Sequence, residues 1–122
     1  MLLKDDAEHP VPEEWRPKFR LIADAFAHGD FQLRANPIVD VAPIDPTTAE
    51  HFAANVSKYG EGLDPLDDRT WGWSVYRWMD GYWQFAVDLT TQSVPVSDLT
   101  LHARVYENAG GYRVVVEGVY AE

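Results

Sequence analysis

The sequence predicts an α+β domain with two helices packed on one face of a four-stranded antiparallel meander sheet. Three observations predict it. The first half holds two segments whose apolar residues recur at helical spacing. From Trp71 onward they recur at every second position instead. Two turn signals, Asp80-Gly81 and Asn108-Ala109-Gly110-Gly111, divide that second half into two hairpins. Helices and strands are thus segregated along the chain, as in domains whose helices cover one sheet face and leave the other partly solvated. A length of 122 residues fits a single domain over 1–122.

Residues 1–11 come first. Lys4, Asp5, Asp6, Glu8 and His9 make them polar, and they are expected to form a flexible segment whose removal changes stability little. The first helix is expected over 12–28. Trp15, Phe19, Ile22 and Phe26 fall at i, i+4, i+7 and i+11, one stripe of a helix. Pro12 followed by Glu13-Glu14 suits a first turn, where a missing amide costs nothing and acids complement the dipole. Pro17 crowds the carbonyl of Glu13, so the helix kinks there or its regular part begins near Pro17. Gly29 is a left-handed stop. Residues 30–44 read as irregular, with one short strand at 37–41. The second helix opens with Asp45-Pro46, a capping acid before a first-turn proline. Ala49, Phe52, Ala53 and Val56 give it an apolar face, and Gly60 ends it. Residues 63–69 read as an acidic loop.

In the first hairpin, an Asp80-Gly81 turn sets Trp78 against Trp83, Tyr76 against Phe85, Ser74 against Val87 and Gly72 against Leu89. The opposite face then carries Trp71, Trp73, Val75 and Arg77, with Asp88 across from Trp73. In the second hairpin, pairing Glu107 with Tyr112 sets Val105 against Val114, Ala103 against Val116, Leu101 against Gly118 and Leu99 against Tyr120. The other face pairs His102 with Glu117 and Tyr106 with Arg113.

Composition narrows the function. Twenty acids against ten bases give a net charge of -10, which argues against nucleic acid as a partner, since phosphate binding needs a basic footprint. The absence of cysteine removes disulfides, thiolate zinc sites and cysteine nucleophiles together. The longest uncharged stretch is the nine residues 89–97, against about 20 for a membrane span. The N-terminus turns acidic at once and has no apolar signal core. A cytoplasmic protein that engages no membrane is expected, as a monomer or weak homodimer.

Trp78-Met79-Asp80-Gly81-Tyr82-Trp83, then Val87-Asp88-Leu89, then Ser97-Asp98-Leu99-Thr100-Leu101 resemble a family of small uncharacterised bacterial α+β domains. In these a tryptophan-rich hairpin is followed by an "SDLTL" strand. The resemblance covers about 71–120 and implies a bacterial origin without implying an activity. A looser similarity, carried by Ala23-Asp24-Ala25-Phe26-Ala27-His28-Gly29-Asp30-Phe31, is to the NTF2-like cone fold. It implies a curved sheet, a helical lid and a pocket between them.

His9, His28, His51 and His102 have no metal-ligand spacing, and Asp64, Asp67 and Asp68 lack the spacing of a calcium loop. No phosphate-cradling or nucleophile-elbow motif is present, so neither metal nor cofactor is expected. His102 beside Glu117, with Asp88 on the same face, is the one pattern suited to general base chemistry, because a carboxylate orients an imidazole and raises its pKa. The same pattern is an ordinary cross-strand pair on a wet sheet face. Trp71 and Trp73, flanked by Arg77 and Asp88, suit a protein-binding patch of an aromatic centre and a polar rim. Two readings follow. One is a non-catalytic, immunity- or adaptor-like module that docks a basic partner protein on the outer sheet face. The other is an NTF2-like small-molecule or enzymatic domain whose pocket holds His102, Asp88 or Glu117.

Overall fold

The computed structural model describes residues 2–121. After an extended pair, β1 (His9–Pro10), a 3₁₀ turn (Glu13–Trp15) leads into α1 (Arg16–Ala27). This resolves the Pro17 conflict: the proline lies in the first turn of the α-helix, where no intrahelical amide bond is lost. Helix α2 (Pro46–Tyr59) follows, with the Asp45 carboxylate accepting the Thr48 amide at 3.2 Å. The remaining strands are β2 (Leu63–Asp64), β3 (Val75–Trp78), β4 (Trp83–Asp88), β5 (Thr90–Thr91), β6 (Leu99–Asn108) and β7 (Gly111–Ala121).

The sheet is larger than the predicted four-stranded meander. Five strands run in the order β1-β3-β4-β6-β7, and β2 pairs with β5 in a separate two-stranded ribbon. Both additions come from segments that read as unstructured. His9 pairs with Tyr76 and Pro10 with Val75. Upstream of them the Leu3 carbonyl accepts the Trp83 indole N–H at 2.9 Å, the Leu3 amide bonds the Tyr76 hydroxyl at 3.0 Å, and Leu2 is buried. The segment 2–11 is therefore docked on the sheet, where a flexible arm is expected from its polarity. Its charged residues stand outward while Leu2 and Val11 enter the core. The strand expected at 37–41 reduces to a single parallel bridge of Val41 to Val114. Two bonds hold it, from the Val114 amide to the Asp40 carbonyl and from the Ala42 amide to the Val114 carbonyl. It covers the middle of β7, an otherwise open sheet edge.

The helices pack on one face. Phe19 stacks on Phe85 and Trp15 lies against both Phe85 and Tyr112, so α1 docks on the apolar face of β4 and the 3₁₀ turn before it reaches across to β7. Phe26 from α1 meets Phe52 from α2, closing the helical layer. Fully burying one such side chain contributes about 1.5–3 kcal/mol. The layer between helices and sheet is filled by these rings and by the inward residues Val87, Leu101, Ala103, Val105 and Val114.

Candidate functional site

The face of the sheet turned away from the helices is the candidate site. It presents Val75 and Arg77 from β3, Gln84, Ala86 and Asp88 from β4, and alternate residues of β6 and β7. The first hairpin keeps the predicted register, with Trp78 opposite Trp83 and Tyr76 opposite Phe85. Both turn residues, Asp80 and Gly81, have positive φ, and the Met79 amide bonds the Tyr82 carbonyl at 2.8 Å.

The ladder starts only at Val75, however, and this changes the tryptophan pair. The Asp67 carboxylate accepts the Arg69 amide at 2.9 Å and caps a 3₁₀ turn over Asp68–Gly72. The chain coils where a strand is predicted, and Trp71 swings inward to 6% exposure beneath the Arg16 and Arg20 guanidinium groups. Trp71 is thus a core residue and not part of an outer patch. Trp73 remains outside, 70% exposed, just before the first paired residue. It has no cross-strand partner; Ser74 beside it accepts the Asp88 amide at 3.1 Å, which brings Trp73 to the Asp88 end of β4. Arg77 lies opposite Gln84 as predicted, and its guanidinium donates to the Asp6 carbonyl of the docked N-terminal segment.

The second hairpin departs from its predicted register at one point. Pairing holds from Glu107–Tyr112 to Ala103–Val116, then slips at a bulge so that His102 faces Gly118. Leu101 consequently meets Val119 and Leu99 meets Ala121, not Gly118 and Tyr120. A one-residue slip exchanges faces, so Val119 is buried and Tyr120 is turned outward. The predicted His102–Glu117 pair does not form. Glu117 instead accepts from Arg104 Nε at 2.7 Å and from Gln84 Nε2 at 2.6 Å. Arg104 also lies 4.5 Å from the Tyr82 ring centre, and the Tyr106 hydroxyl first and Glu117 second hold its pKa above the ordinary arginine value.

His102 is covered by Tyr120, the rings 4.3 Å apart and nearly parallel. Gly118 makes room for this, because a Cβ there would come within 2.7 Å of the Tyr120 ring. Asp88 Oδ1 accepts from the Thr100 hydroxyl at 2.9 Å. His102, Asp88 and Glu117 thus share a face but occupy different arrangements: His102 under Tyr120, Asp88 on the Thr100 hydroxyl, and Glu117 between Arg104 and Gln84. Cavities of about 250–460 Å³ open on the described surface, one of them beside Tyr120, and none of these three residues lines them. Among the described residues no group of three or more histidine and acidic side chains could hold a metal ion. No helix of the described residues is long and apolar enough to cross a membrane.

Strict alternation along β7 hides two features of this face: it puts Tyr120 on the inner side, and it gives no sign of the Gln84–Glu117–Arg104 bridge. The glycine at 118 within a strand of otherwise large residues is the signal that locates both, since such a glycine often marks a bulge or a close approach.

The fold and face define a small α+β domain with helices on one side of an antiparallel sheet and an open polar and aromatic surface on the other. Residues 23–122 match the model of a domain of unknown function (DUF7668), and the chain belongs to that family. The match begins within α1 and takes in α2 and every strand after β1. No curated protein and no solved structure matches the chain.

Proposed function

We propose that this chain is a non-catalytic protein-binding module, immunity- or adaptor-like, that engages a basic partner protein through the open face of its sheet. The observation that carries the reading is Trp73, a tryptophan 70% exposed at the margin of an uncovered sheet face. Buried tryptophans stabilise folds; an exposed one beside mixed charges is the residue type that most often anchors an interface. Arg77, Gln84, Asp88 and the Arg104–Glu117 pair supply the polar rim. A net charge of -10 would speed encounter with a basic partner. That charge and the bacterial resemblance together favour a bacterial cytoplasmic setting. A pocket between helices and sheet has less support, because Phe19, Phe26, Phe52 and Phe85 fill that layer.

Affinity capture from the cells that make the protein, run in parallel on wild type and Trp73→Ala, tests the reading. Capture of a basic protein by wild type, weakened about thirty-fold or more in the variant at unchanged melting temperature, supports it. His102→Ala should leave capture largely intact. An activity lost in His102→Ala, together with unfolding of Trp73→Ala, would replace the module with the pocket reading.

A further inference from the structure

We propose that a furrow across the helical layer, distinct from the sheet face, is a docking groove for a basic amphipathic peptide segment. The proposal does not rest on the sheet-face reading. Three cavities of about 460, 260 and 340 Å³ succeed one another there. The first lies between α1 and the 35–38 loop, the second between the 29–34 loop and the first half of α2, and the third beside its last turns. The first and second meet at Asp30, and the second and third at Phe31 and Ala53.

Leu21, Ala25, Ile38, Phe31, Ala53 and Val56 supply the furrow's apolar lining, interspersed with the uncharged polar Asn36, Gln32 and Ser57, and its small alanines let a bound backbone approach closely. Leu21 is 53% exposed and Val39, next to Ile38, is 78% exposed, so apolar surface stands in water at one end. The chain has already built this wall firmly. Lys18 donates to the Val39 carbonyl at 2.8 Å, and the Asp30 carboxylate caps the amides of Arg34 and Ala35.

The rim selects the occupant. Asp24, Asp30, Glu50 and Glu61 border the furrow, against Arg34 as the one fixed cation among the described lining residues, with His28 beside them. The Ser93 hydroxyl holds Glu61 below the usual carboxylate range, so it stays ionised at neutral pH. Apolar lining residues within an acidic rim match a segment that carries leucine-type residues on one side and lysine or arginine on the other. A second copy is a poor match, because it would bring two chains of charge -10 together rim to rim.

The probe is a dye-labelled leucine–lysine peptide about four helical turns long, with leucines at helical spacing, followed by fluorescence anisotropy at low salt. A scrambled peptide of the same composition is the control. The patterned peptide should bind at least ~10-fold more tightly than the scrambled one. Leu21→Glu and Ala53→Glu discriminate by sign. Each adds negative charge, so attraction by charge alone would tighten binding, whereas a groove reading requires at least ~10-fold weakening. Leu21→Glu, at a lining side chain already 53% exposed, keeps the test available should Ala53→Glu fail to fold. Glu50→Lys should weaken binding and Trp73→Ala should leave it unchanged. Equal binding of both peptides, or tighter binding by the glutamate variants, overturns the proposal. So does loss of binding in Trp73→Ala alone, which would move the site to the sheet face, or a dimer that Leu21→Glu dissolves, which would make a second copy the occupant.

Discussion

Gly118 has the largest influence on the candidate face for its size. Its missing side chain lets the Tyr120 ring lie flat on His102. In Gly118→Ala the ring must swing away, which an exposed tyrosine does at little cost. The expected stability change is below about 1 kcal/mol. The His102 ring protons should nevertheless lose the ring-current shift that Tyr120 imposes, and ¹H NMR reads this directly. Unchanged His102 shifts would show that the stack does not depend on the glycine. Asp67 offers a second test. Hydrogen bonds from the Arg69 guanidinium, then from the Arg69 amide, lower its pKa from 3.8 to about 2. A carboxyl depressed in the folded state stabilises the fold above its unfolded pKa, and that contribution fades as pH falls from 3.8 toward about 2. Carboxyl NMR should find the Asp67 midpoint near 2 in wild type and closer to 3.8 in Arg69→Gln. The bulge beside Gly118 explains why the His102–Glu117 pair was not readable correctly from the sequence. Alternation specifies which residues share a face only while the register holds, and one extra residue exchanges the faces beyond it.

At the scale of elements, local patterns were legible and non-local additions were not. The α1 stripe, the Asp45 cap and the 78–83 and 107–112 pairings are encoded by neighbours in sequence, and all are present. Strand β1 is only two residues long and pairs with β3 more than sixty positions away, so no local period announces it. The coil at 68–72 was obscured because Trp71 and Trp73 alternate with small residues as a strand would. These differences reverse the expectation for the N-terminal segment and move Trp71 from the surface to the core. Deleting residues 1–10 should now lower the urea midpoint clearly, since it removes buried Leu2, the β1 pairing and the acceptor of the Trp83 indole. An unchanged midpoint would mean the segment contributes nothing where it docks. Trp83→Ala and Trp71→Ala should both cost about 3–5 kcal/mol, as losses of buried aromatics, while Trp73→Ala stays within about 0.5 kcal/mol. Urea melts of the three variants check the ranking, and an unfolded Trp73→Ala would place that side chain in the core.

The whole molecule is asymmetric: one sheet face is sealed by aromatic packing and the other is left to solvent, charge and Trp73. The α+β class and the single-sided packing followed from the segregation of periods along the chain, but the five-stranded sheet and the separate ribbon did not. Side-chain oxidation footprinting of the captured complex reads out whether the protein partner sits on the open face. Hydroxyl radicals label exposed aromatics, so Trp73 should react fast in the free protein. In the complex its labelling should slow by about ten-fold, with buried Trp83 unreactive in both states. Equal labelling of Trp73 in the free and bound protein would mean that the partner sits on some other surface.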